Sequence, residues 1–151
     1  WHGASSETVE GLLSRGAWRT LRTTRGKRPV DIATARGHDH LTVLLRPVAL
    51  HPLPADVLAA LERRLHPLLA EVSMGLTERQ RMRLPQVEVL TELPGGQLWF
   101  PVPGMYGGAN IRLETAEPAL IVESWCRVVD GSGLRHRITP DDTVLLEAGF
   151  V

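Results

Sequence analysis

The sequence predicts an α+β protein, and three observations carry that prediction. Apolar residues recur at helical spacing through about residue 84. From Gln86 onward the apolar period shortens to two, the spacing of strands. The connections in that second part, "LPGGQ", "PVPGMYGG", "TAEP" and "DGSG", are short and turn-like, which favours an antiparallel meander. The expected organisation is helical hairpins over residues 1–46 (the first of them partial), a Pro-rich linker with helices over 47–84, and an antiparallel β domain over 85–151. The chain has 151 residues, 43% of them apolar. A chain this long buries about 68–70% of its extended surface, enough for a core without staples.

The most readable stretch is "TTRGKRPVDIATARGHDHLTVLL", residues 23–45. Pro29 suits a first helical turn, where its missing N–H has no partner to lose. Ile32, Ala33 and Arg36 carry a short helix, and Gly37 ends it at little conformational cost. Leu41, Leu44 and Leu45 give a second apolar stripe at i, i+3, i+4. Upstream, "ETVEGLLSRGA" places Leu12 33 residues before Leu45. A period in the low thirties is that of stacked helical hairpins.

These residues carry a family resemblance. "GKRPVDIATARGHDHLTVLL" resembles an ankyrin repeat, with Gly26, Pro29, Val30, Ala33, Gly37, His38, Leu44 and Leu45 in the matching places and Arg28 and Asp31 where Thr and His are usual. Glu7–Ala17 resembles the second helix of a preceding repeat. The resemblance covers about residues 1–46 and implies stacked helical pairs whose projecting fingers contact partners. Such arrays bury a continuous core with about three repeats. The chain opens on Trp1, without Met and in mid-pattern, which predicts further repeats upstream or a cap supplied by the following segment.

Pro47, Pro52 and Pro54 then form a stiff break. "ADVLAALERRLHPLLAEVSMG" reads as a helix with Leu58, Leu61, Leu65, Leu68 and Val72 on one stripe. Pro67 lies inside it and predicts a kink or break near residues 63–66. Residues 77–84 read as a second short helix with Thr77 as N-cap. The expected strands are 86–92, 97–102, 109–114, 119–129, 134–139 and 143–147. Around Asp130–Gly133, pairing Val129 with Leu134 sets Arg127 opposite His136 and Trp125 opposite Ile138. The runs "FPVPGMYGG" and "ESWCRVV" resemble uncharacterised stretches of bacterial proteins, to which no activity attaches.

Composition narrows the function. A single Cys excludes an internal disulfide and fits a reducing, cytoplasmic setting. Arg-dominated positive charge with abundant Ala, Gly, Leu and Pro points to a bacterial source. No apolar run is long enough to span a membrane. Spacing of the six His offers no metal set, no cofactor motif is present, and "GSG" lacks the strand–elbow–helix setting of a hydrolase serine. Net charge is zero. Residues 1–50 nevertheless hold eight Lys/Arg and four Asp/Glu, a balance of +4, and residues 51–151 hold nine and thirteen, a balance of −4.

The basic excess gathers at Arg15, Arg19, Arg22, Arg25, Lys27 and Arg28, with Trp18 among them. Trp beside Arg is the composition of a binding hot spot. The primary expectation is therefore a non-enzymatic protein–protein interaction module. Its partner-binding residues are Trp18, Arg19, Arg22, Arg25 and Lys27, and its partner presents an acidic surface. Zero net charge argues against nucleic acid. The alternative is a small-molecule-binding or hydrolytic β domain, with the repeats as scaffold. Its site would be Tyr106, Glu123, Trp125, Arg127 and His136, a carboxylate, a base and a cation beside an aromatic wall. Oligomeric state is not legible from the sequence.

Overall fold

The N-terminal helices form where the sequence caps them. The computed structural model describes residues 3–126 and 133–150. Helix α1 is Ser6–Leu13; the extended residue Ser5 precedes it, and its Oγ accepts from Thr8 N–H at 3.2 Å, filling one of the donors a helix start leaves open. Pro29 opens α2, Pro29–Ala35, and the Asp31 carboxylate accepts from Arg28 N–H at 2.9 Å. Gly37, at φ +70°, turns the chain into α3, Asp39–Leu45. Helix α3 packs against both α1 and α2. Residues 26–45 are thus two short helices packed together.

That helical core is thin. Val9, Ala33 and Leu41 are buried, with Leu13, Leu44 and Leu45 partly covered around them. Full burial of a Val or Leu side chain contributes about 1.5–3 kcal/mol, while ordering each residue costs about 1–2 kcal/mol. Three small buried residues do not hold three helices by themselves, so α1–α3 depend on what they dock against.

The main core lies between one helix and one sheet. Helix α4, Ala55–Val72, buries Leu61, Leu65, Leu68 and Leu69. It runs unbroken through Pro67, against the break expected near 63–66. Pro67 and Arg63 both lie on the exposed side, so the Arg63 carbonyl that Pro67 leaves without a donor is not sealed in the core. Helix α5, Leu76–Arg79, follows Gly75 at φ +73°. Thr77 is not its cap: the residue is buried inside α5, its hydroxyl 3.2 Å from Ser73 Oγ. The expected strand 86–92 is a 3-10 helix, Val87–Thr91, in which Val87, Val89, Leu90 and Thr91 are all buried. The Val–Glu–Val alternation imitated a strand. Glu62 Oε2 of α4 holds the segment by accepting from Val87 N–H at 2.8 Å.

The sheet has five strands, β1 Gln97–Val102, β2 Gly107–Glu114, β3 Ala119–Cys126, β4 Gly133–Ile138 and β5 Thr143–Phe150. They lie in chain order, every pair antiparallel. Phe100, Val102, Ala109, Ile111, Leu113, Leu120, Val122 and Ile138 face the helical layer and join its core. Alternation puts Trp99, Asn110, Arg112, Glu123, Trp125, Arg135 and Arg137 on the opposite, outer face.

The β3–β4 register departs from expectation. Leu134 pairs with Ser124 and Val122 with His136. Against the expected Val129–Leu134 pairing this is a slip of five residues, an odd number, so every β4 side chain moves to the other face. Arg127, Val129 and the turn itself lie outside the described residues. The described strands 107–114 and 143–150 are also longer than the 109–114 and 143–147 expected.

Candidate functional site

The basic segment after α1 divides in two. Residues 23–27 form an exposed turn, in which Thr23 N–H donates to the Lys27 carbonyl at 2.9 Å, while Arg19, Arg22 and Arg28 are drawn onto the 3-10 helix. Glu92, its side chain 8% exposed, collects four donors. Oε2 accepts from Arg19 N–H at 2.8 Å, Thr20 N–H at 3.0 Å and the Thr20 hydroxyl at 3.1 Å, and Oε1 from Arg19 Nη1 at 3.0 Å. Arg19 Nε reaches the Leu44 carbonyl of α3 at 2.9 Å. Arg22 Nε pairs with Glu88 Oε2 at 2.8 Å, and Arg28 pairs with Glu88 Oε1. Arg22 N–H donates to Gln86 Oε1 at 2.8 Å, and Gln86 Nε2 donates back to the Arg22 carbonyl at 3.0 Å. Arg83 donates to the same carbonyl.

This network takes up two residues of the expected partner face. Arg19 and Arg22 are held in ion pairs inside the chain, and the acidic surface they meet is Glu88 and Glu92. Arg25 and Lys27 stay exposed, at the rim of an open cleft of about 420 Å³ against Asp31, Ile32 and Ala35 of α2. A second cleft of about 460 Å³ lies between residues 22–26 and α4. Its polar lining, Arg22, Glu62, Gln86 and Glu88, is already hydrogen-bonded within the protein.

Trp18 is half-buried and opens another place. It lines a groove of about 220 Å³ with Leu21, Leu84, Pro85, Leu98 and Trp99, bordered by Arg83. The groove sits at the seam where the N-terminal segment meets β1. Trp99, 43% exposed, stacks on Trp125 with ring centroids 4.7 Å apart. Sequence reasoning found Trp18 but missed Trp99, Leu84 and Arg83. Pro101 was the available signal, because Pro inside a strand marks a sheet edge.

The second expected cluster does not assemble. Glu123 and Trp125 stand on the outer face, while His136 stands on the helix-covered face beside Val122. Tyr106 sits at φ +52° in the β1–β2 turn and is 76% exposed, whereas its neighbour Met105 is buried. Arg127 lies outside the described residues. The Glu123 carboxylate is occupied by Arg135 Nε at 2.9 Å and by Asn110 Nδ2 at 3.5 Å. The Cys126 thiol donates to the Met105 carbonyl at 2.6 Å. Burial pushes the His136 pKa below its usual 6.5, against the smaller opposite pull of the Glu71 carboxylate on α4.

Among the described residues no group of three or more His, Cys, Asp or Glu is arranged to hold a metal, and no helix is long and apolar enough to cross a membrane. Comparison with protein-family models, curated proteins and solved structures gives no match for this chain.

Proposed function

We propose that this chain is a non-enzymatic protein-binding module, in which ankyrin-like helical hairpins are fixed to a small α+β unit and the partner is taken at the seam between them. One observation carries the reading. Trp18 from the N-terminal part and Trp99 from the sheet edge meet in a single apolar groove with Leu21, Leu84 and Leu98. Aromatic anchors around an apolar cleft, with a cation at the rim, are what binding hot spots are built from. Arg83 borders this groove, and Arg25 and Lys27 stay exposed at the separate cleft against α2, so the partner surface is acidic. The small-molecule alternative has no geometry to stand on, since His136 and Glu123 face opposite sides of the sheet.

The test is a displayed library of random linear peptides panned against the immobilised chain, followed by titration calorimetry with an enriched peptide. Trp18→Ala should weaken binding at least about tenfold. An Arg25→Glu/Lys27→Glu pair should weaken it less and make it less salt-sensitive. Full binding by a folded Trp18→Ala variant would reject the seam as the site.

A further inference from the structure

Strand β1 is an outer strand of the sheet, and its free edge borders the Trp18–Trp99 groove. The phase of that edge can be read. Leu113 N–H donates to the Gly96 carbonyl at 2.8 Å. In an antiparallel ladder, residues alternate between those that exchange bonds with the neighbour and those that turn away. Leu98, Phe100 and Val102 therefore bond to β2, while Gln97, Trp99 and Pro101 turn their backbone groups outward. Pro101 agrees with this phase, since its missing N–H falls on the free side, where no ladder bond is lost. The edge presents the N–H groups of Gln97 and Trp99 and the carbonyls of Gln97, Trp99 and Pro101. Three consecutive residues, Leu98, Trp99 and Phe100, line the groove. Consecutive strand residues point to opposite faces, so the groove follows the edge itself.

The charge lining this groove has one sign: Arg83 lines it, and no carboxylate does. Arg79 and Arg81 precede Arg83 in the same exposed segment, two arginines against the one carboxylate of Glu78. Gln80 Nε2 donates to the Pro103 carbonyl at 2.8 Å, which fixes that segment beside the C-terminal end of β1.

Resting on the protein-binding reading above, we propose that the β1 edge takes an extended, acidic segment of a partner protein as a sixth strand. Alternate apolar side chains of that segment enter the Trp18–Trp99 groove, and its carboxylates face Arg79, Arg81 and Arg83. Strand addition satisfies the outward N–H and C=O groups that a docked helix would leave unmet.

The probe is a phage library of 12-residue linear peptides panned on the whole chain, with the enriched sequence synthesised and measured by fluorescence anisotropy. Enriched peptides should alternate apolar and other residues, with Asp or Glu at one end. N-methylation at every second amide should weaken binding at least about tenfold in one register and leave it intact in the other. Arg83→Glu should also weaken it, by at least about tenfold. Enriched peptides with apolar residues at i, i+3 and i+4, or binding indifferent to N-methylation in both registers, would overturn strand addition while leaving the seam as a binding site. Basic enriched peptides, or self-association of the chain through β1, would overturn the proposed partner. Failure of any peptide to enrich would sink both this inference and the protein-binding reading.

Discussion

Replacing Glu92 with Ala should uncouple the helical unit from the sheet. The carboxylate accepts from two backbone N–H groups, one hydroxyl and one guanidinium, and Thr20, which supplies two of these donors, is 2% exposed. Removing one member of a buried ion pair costs about 3–5 kcal/mol. Arg19 keeps 27% of its side chain in water and recovers part of that by solvation. The Thr20 donors recover little, and each buried donor left unmet costs about 1–3 kcal/mol. The balance is about 4 kcal/mol. Divided by a urea dependence of about 2 kcal/mol per molar, it moves the unfolding midpoint down by about 2 M. Glu92→Gln keeps one carbonyl acceptor and should lose about half as much. Tryptophan fluorescence during urea unfolding reads the change, since Trp18 and Trp99 sit at the seam. Amide exchange should also quicken in α1–α3 before it does in the sheet, because the thin helical core leans on this contact. A loss below about 1 kcal/mol, the range of exposed ion pairs, would refute the claim that Glu92 anchors the N-terminal helices.

Other consequences follow from the same geometry. Because burial lowers the His136 pKa below 6.5, the unfolded chain takes up that proton first. The stability tied to His136 is therefore full above about pH 6.5 and lost as pH falls through the folded-state value; His136→Gln should flatten that part of a pH series of urea midpoints, and Glu71→Gln should steepen it. Leu65→Ala empties a fully buried position of α4 and should cost about 3–5 kcal/mol in the same unfolding assay. Gly108→Ala drives a Cβ into the Phe100 carbonyl of the neighbouring strand; thermal unfolding should show a loss well above the ~1 kcal/mol of an average substitution.

How much of this was legible in the sequence depended on whether a feature is local. The α2–α3 pair announced itself because Pro29 and Gly37 act on the backbone where they stand. The strands announced themselves because alternation is also local. What failed was pairing across the chain. Val87–Thr91 alternates like a strand, yet all its residues but Glu88 are buried, beside α4 and β2, so its pattern carried no information about its backbone. The β3–β4 register turned on a connection whose length two-residue periodicity does not fix, and the odd slip alone dissolved the Glu123–Trp125–His136 cluster. Trp18 was visible by composition. Its partner Trp99 lies 81 positions away, and only the fold brings the two into one groove.

The charge asymmetry shows the same confusion of local and distant causes. An excess of +4 before residue 51 and −4 after it looks from outside like a surface awaiting a partner. Its strongest acidic acceptors for the basic segment prove to be Glu88 and Glu92 of the same chain. Arg19 explains why arginine serves here. One guanidinium closes the carbonyl end of α3 at Leu44 and holds Glu92 with a second nitrogen, a two-directional fork that a lysine ammonium cannot match in geometry. The opposite charges of the two parts therefore act first as a latch that sets the helices against the sheet. That latch sets Trp18 and Leu21 beside β1, so the proposed binding groove is built by the half of the basic segment, Arg19, Arg22 and Arg28, that is turned inward onto Glu88 and Glu92.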